Sequence, residues 1–315
     1  MAPVVIILII VLSMTAIVSY VLFMIWVVAT RSLEHVKKAV RYSVSNDEFC
    51  EPEKGPCSLV VLDTLPYPTF PLGPIFSYTV ARYAADLVVR VVRLEQKMDP
   101  AQTLTMPPGM VLDTTLSYQK KTIGFIGHKD GVYWIAFRGT STDNEWKRDL
   151  EFSLTSTNTI QDRDTQRASM TGTGMCHTGF LDIYDDFEQI IYDMIAPGST
   201  VVVTGHSLGA GLATLACLNL KATRTVTGYV FASPRVCSVV DTADMNGFFR
   251  VVNTADIIPS TPFSTMFNIK NHDKPYHYTH GGKAFYFTEN RLSLTNSHLI
   301  PVYIKALDDQ ALNEN

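Results

Sequence analysis

Val201-Val202-Val203-Thr204-Gly205-His206-Ser207-Leu208-Gly209-Ala210-Gly211 decides the reading of this chain. Three consecutive valines predict a strand buried on both faces, because β-branched side chains fit a pleated surface covered from either side. Residues 205–209 then fit G-x-S-x-G, in which a strand turns sharply into a helix with a serine at the apex. A side chain at either glycine would clash in so tight a turn. Past it, Leu208, Leu212, Leu215 and Leu218 recur at helical spacing, with Ala210 and Ala213 between them. Strand, turn and helix in this order make Ser207 a candidate nucleophile.

Outward from that stretch, strands alternate with helices. Phe76, Val80, Tyr83, Ala84, Leu87, Val91 and Leu94 predict an amphipathic helix with Arg82, Asp86 and Arg90 on its more polar side. Residues 122–126 and 132–137 predict paired strands joined by a turn at Lys129-Asp130-Gly131. A helix is expected from His177 to about Ile195, where Pro197-Gly198 stops it. Residues 228–232 and 248–253 predict further apolar strands, and 285–288 an edge strand. The alternation implies an α/β fold, a mostly parallel central sheet covered by helices.

The chain has 315 residues, 46% hydrophobic and 18% charged, which is ample for one large domain plus an extension. Much of the apolar excess lies in residues 4–28, which hold no charge and are long enough to cross a ~30 Å hydrocarbon core. The flank before them has no Lys or Arg, so a retained transmembrane signal-anchor helix over residues 1–30 is expected rather than a cleaved leader. Arg31, Lys37, Lys38 and Arg41 follow, and the positive-inside rule puts the remainder on the cytosolic side. Residues 31–74 read as a basic juxtamembrane and Pro-rich linker, with irregular cover the other reading of the proline-bearing part from Ser43 to Pro74, and 308–315 as a polar tail. A net charge of −4 gives no support for nucleic-acid binding. The five cysteines show no C-x-x-C pair. Cys50 and Cys57 share a loop and are placed to bridge in an oxidising compartment, whereas Cys176, Cys217 and Cys237 read as ordinary thiols.

A serine hydroxyl becomes a useful nucleophile only when an imidazole takes its proton, and that imidazole needs a carboxylate to fix its tautomer. Of the acids after Ser207, Asp256 alone directly follows an apolar strand and precedes Ile257-Ile258-Pro259. His272, His277, His280 and His298 are the later histidines. His298 lies late in the chain, where the base of a Ser, Asp, His order belongs, and His280 is its rival. His206 is expected to point away from its neighbour Ser207.

Together, Phe137-Arg138-Gly139-Thr140, His177-x-Gly179-Phe180, Gly205-His206-Ser207-Leu208-Gly209, Pro234-Arg235-Val236, Asn253-x-x-Asp256-x-x-Pro259 and His298 resemble the class 3 (fungal-type) triacylglycerol lipases. The likeness covers roughly residues 75–307, the expected catalytic domain. It implies an α/β-hydrolase fold, no metal and no cofactor, with Ser207 as nucleophile, Asp256 as acid and His298 as base. It also implies an oxyanion hole from the Leu208 N–H and from Thr140, with Trp146 and Asp149 near a lid and Asp149 orienting the Thr140 hydroxyl. Residues 141–148 depart from the apolar lids of such enzymes, since Trp146 is their only large apolar side chain. The implied partners are a lipid ester substrate, an acylglycerol or a phospholipid acyl ester, and a membrane bilayer. Short-chain esterase, acyltransferase and catalytically silent scaffold remain the alternatives, and the oligomeric state is open.

Overall fold

The computed structural model describes residues 61–70, 72, 75–98, 103–139, 160–161, 176–237, 245–262, 264–268 and 271–313. All belong to a compact unit spanning Glu51–Asn315. The expected anchor, Cys50 and Cys57 lie outside the described residues. Among those described, no helix is long and apolar enough to cross a membrane.

The valine run lies within a strand, β6 (Thr200–His206), at the centre of a seven-stranded sheet. Strand periodicity sends Val201 and Val203 to one face and Val202 to the other, and all three are fully buried. The sheet also contains β1 (Val111–Tyr118), β2 (Lys121–Lys129), β3 (Val132–Phe137), β7 (Thr225–Phe231), β8 (Phe248–Asn253) and β11 (Lys283–Phe287). Its order is β1-β2-β3-β6-β7-β8-β11. The β1–β2 and β2–β3 pairs are antiparallel, and every pair from β3 to β11 is parallel. The sheet is therefore mostly parallel, with β11 at the expected edge. β1 was not anticipated, because its exposed edge residues show little apolar alternation. Two short strand pairs lie apart from this sheet: β4 (Ile160–Gln161) with β5 (Cys176–His177), and β9 (Thr265–Asn268) with β10 (Asn271–His277).

Helices α2 (Thr178–Met194) and α3 (Leu208–Leu220) cover the Val201 face. α3 is apolar on all sides because it is sandwiched between sheet and α2. A methyl at Gly211 would lie 2.6 Å from the Phe180 ring, so the glycine permits that close approach. Helices α1 (Tyr78–Glu95) and α5 (Ile300–Asn313) cover the opposite face. Between β11 and α5 lies the one-turn helix α4 (Leu294–His298).

Three expectations need correction. The polar side of α1 is buried: Arg82, Asp86 and Arg90 are 7%, 1% and 1% exposed. Burial of these charges is tolerable because each has partners. Arg90 bonds Asp86 and Asp63, both at 2.7 Å, Asp86 also accepts the Leu62 N–H, and Arg82 donates to Asp308 at 2.8 Å. Residues 61–70 and 72 accordingly form irregular cover of the domain, the second of the two readings of this segment, with Val61, Leu65, Tyr67, Phe70 and Leu72 packed on the core. The tail expected from residue 308 instead continues α5 to Asn313, held by the same Arg82 contact. Finally, Cys176 and Cys237 are joined by a disulfide, while Cys217 is a buried thiol. The spacing of the two half-cystines carries no signal, since the fold alone brings residues 61 apart in sequence into one β-bridge.

Candidate active site

The turn from β6 into α3 forces Ser207 to φ 57° and ψ −122°, a conformation disfavoured for a residue with a Cβ. A methyl on Gly205 would lie 2.1 Å from the Gly209 carbonyl oxygen, and one on Gly209 would lie 2.4 Å from that of Arg138. Backbone meets backbone at both glycines, so neither tolerates a side chain. The Ser207 N–H donates to the Phe231 carbonyl at the end of β7, tying the apex to the neighbouring strand.

Asp256 follows β8 in a loop that turns into the short 3-10 helix Ile258–Ser260, where its Oδ1 accepts the Ile258 N–H at 2.9 Å. His298 ends α4, whose first turn is capped by the Ser293 hydroxyl. These three separate segments converge. His298 Nε2 lies 2.7 Å from Ser207 Oγ, and its Nδ1 lies 2.7 Å from Asp256 Oδ2. Ser207, Asp256 and His298 are all buried, at 7%, 4% and 3% exposure. With the carboxylate accepting from Nδ1–H, Nε2 is left as an acceptor facing the serine hydroxyl. A hydroxyl so placed can lose its proton to the ring as it attacks an electrophile.

His280, the rival base, points elsewhere. Its ring N–H donates to the Pro259 carbonyl at 2.7 Å, and burial together with Arg250 pushes its pKa down to about 3. His206 indeed does not face Ser207. Its Nε2 meets the backbone carbonyl of His298 at 2.7 Å. Leu208 opens α3, so its N–H has no carbonyl one turn back and is available at the apex. Thr140, Trp146 and Asp149 lie outside the described residues. Gly139 is described, and a methyl there would lie 2.9 Å from His206 Nδ1 and 3.1 Å from Ser207 Cβ. The end of the Phe-Arg-Gly run thus abuts the nucleophile.

Two contributors received no role from the sequence, although Asn253 heads the quoted Asn253-x-x-Asp256-x-x-Pro259 run. The Tyr303 hydroxyl in α5 donates to Asp256 Oδ2 at 2.6 Å, and burial, with the Asp256 charge beside it, holds its pKa well above the ordinary value. The apolar spacing of Ile300, Tyr303, Ile304 and Leu307 was the available signal for that helix face. The other is Asn253, the last residue of β8, whose carboxamide bonds the loops on either side of the site.

Residues 134–266 match the family model for lipase (class 3). The match reaches Ser207 and Asp256 but stops before His298. Over 163 residues the chain is 32% identical to a chloroplastic phospholipase A(1) of Arabidopsis thaliana, covering 45% of this chain and 36% of that protein. Over 164 residues it is 31% identical to secreted mono- and diacylglycerol lipase A of Penicillium cyclopium, covering 46% of this chain and 48% of the relative. The chain thus spans half or less of the length of these two relatives. A solved lipase from Rhizopus microsporus var. chinensis is 26% identical with a TM-score of 0.47, over 66% of this chain and 73% of that one. The family-model match and the two sequence relatives support the class 3 lipase family for the matched segment and a lipase-type hydrolase.

Proposed function

We propose that the protein is a serine hydrolase of carboxylic esters that acts on acylglycerols or on phospholipid acyl esters. The observation that carries the proposal is the unbroken 2.7 Å chain from Ser207 Oγ through His298 to Asp256. Ser207 attacks the acyl carbonyl while His298 takes its proton, and Asp256 steadies the imidazolium. The tetrahedral oxyanion is held by the Leu208 N–H and by Thr140, whose hydroxyl Asp149 orients; losing one such donor costs about 3 kcal/mol of transition-state stabilisation. His298 returns its proton to the leaving alcohol, and water then cleaves the acyl-enzyme by the same route.

The names of the relatives, a phospholipase A(1) and a mono- and diacylglycerol lipase, support a glycerolipid substrate. The apolar run at residues 4–28 supports a membrane anchor that keeps the enzyme at its lipid, where a polar lid around Trp146 needs no interfacial opening. Its orientation receives opposed signals. The basic flank supports a cytosolic domain, whereas the Cys176–Cys237 bond is of a kind that reducing compartments do not keep. An N-x-[ST] acceptor introduced near residue 160 decides between them, since glycosylation occurs only on the lumenal side.

The functional test compares wild type with Ser207→Ala on short-chain monomeric esters and on bilayer diacylglycerol. The proposal expects Ser207 to be labelled by a fluorophosphonate and faster turnover on the bilayer substrate. Ester turnover that survives Ser207→Ala would overturn it.

A further inference from the structure

Asn253 carries no charge and no nucleophile, yet it is fully buried and every polar atom of its side chain is engaged. Its Nδ2 donates to the carbonyls of Glu289 at 2.8 Å and Ser297 at 2.9 Å. Its Oδ1 accepts the N–H groups of Glu289 at 2.9 Å and Ala255 at 3.2 Å. Its backbone carbonyl accepts the Asp256 N–H at 3.0 Å. One carboxamide therefore bonds the loop carrying Asp256, the loop leaving β11 and the turn carrying His298. Ala255 and Ser297 are the residues immediately before Asp256 and His298. No other side chain of this size offers two donors and two acceptors in one plane.

Asp256 and His298 are 42 residues apart, and neither sits within a long element that would fix its position. We propose that Asn253 is the positioning residue that sets the distance between them, an inference that rests on the ester-hydrolase reading. By holding the backbone one residue ahead of each partner, it keeps Asp256 Oδ2 and His298 Nδ1 in contact through the catalytic cycle. The groups that face His298 from the elements packed against it include Asp256, Ser207 and His206, with Tyr303 reached through Asp256. Of these four, Asp256 alone supports a positive charge on the ring. Slack in that contact leaves the imidazolium formed during proton transfer less well supported, so it reduces kcat with KM unchanged.

The test uses the full chain, with rates expressed per Ser207 titrated to completion by a fluorophosphonate, so that misfolded protein does not count. Asn253→Leu keeps the volume and removes all four bonds; Asn253→Ser removes the far ones and leaves a hydroxyl for the local Ala255 N–H. Both are expected to lose roughly ten- to a hundredfold in kcat per site at constant KM, with Asn253→Leu the more affected. In proton NMR, the far-downfield resonance of the His298 Nδ1 proton is expected to shift upfield or vanish by exchange. Where Asn253→Leu gives no titratable sites, the milder Asn253→Ser supplies the same readouts. Wild-type kcat and Nδ1 resonance in the titratable variant would overturn the inference. If Ser207→Ala retained turnover, the hydrolase reading itself would fail.

Discussion

The His206 and His298 rings pack against one another at a tilt of 37°, with centroids 4.7 Å apart, while Nε2 of His206 donates to the His298 backbone carbonyl at 2.7 Å. The residue next to the nucleophile thus grips the backbone of the base. Burial first, and the nearby His298 second, hold the His206 pKa well below its ordinary value, so the ring stays neutral. His206→Phe keeps the ring contact and removes the donor. Loss of one buried hydrogen bond of about 1 kcal/mol predicts a roughly fivefold fall in kcat/KM, measurable on a soluble ester.

The positive φ of Ser207 is a stored cost. Glycine adopts that conformation freely, so Ser207→Gly is expected to raise the unfolding free energy by about 1 kcal/mol while abolishing turnover. Ser207→Ala keeps the Cβ and should lose activity by at least about 10⁴-fold without that gain. Denaturant melts of the two variants check the difference.

Tyr303→Phe deletes a donor to a buried carboxylate. Hydrogen bonds to charged groups contribute about 1.5–3 kcal/mol, so this variant should lose that much stability despite retaining the ring. Equilibrium unfolding in urea at neutral pH provides the measurement.

Acid should weaken the fold through neutral histidines outside the triad, His177 and His280 as well as His206. Burial lowers the His177 pKa to about 4, and burial with Arg250 lowers that of His280 to about 3. Above their unfolded value near 6.5, neither state binds the proton and neither residue affects stability. As pH falls from 6.5 to about 4, and to about 3 for His280, the unfolded chain takes up protons that the folded one refuses. Stability therefore drops across that window, by about 3 kcal/mol for His177 alone. A His177→Gln variant should show a shallower decline of Tm with acidification.

The Cys176–Cys237 bond ties the start of α2 to the loop after β7. Closing a loop of this length contributes about 2–4 kcal/mol. Dithiothreitol should lower the Tm of wild type and leave that of the Cys176→Ser, Cys237→Ser double variant unmoved.

The parts of the fold legible in the sequence were those with local signatures. The valine run, the glycine-flanked Ser207 and the helical spacing of residues 76–94 each express their structure within a few residues. Asp256 and His298 were reached by their order along the chain. Tyr303, the disulfide and the role of Asn253, visible only as a motif residue, were not legible, because each acts through partners 36 to 61 residues distant that only the folded sheet brings near. The polar side of α1 misled for a related reason: charges at i,i+4 spacing look solvated until a distant segment roofs them.

The cover formed by residues 61–72 defines where the folding unit begins. Trp134, fully buried in β3, is closed over by Tyr67 and Phe70, and its indole N–H meets the Tyr67 hydroxyl, which itself donates to the Lys129 carbonyl. A protein shortened to start at residue 75 would expose that indole to water and leave Arg90 without Asp63. With Trp146 replaced by Phe in both, its fluorescence emission should lie to the red of that from a protein starting at residue 51, which also lacks Trp26. The emission of Trp134 thereby reports the true amino-terminal border of the domain.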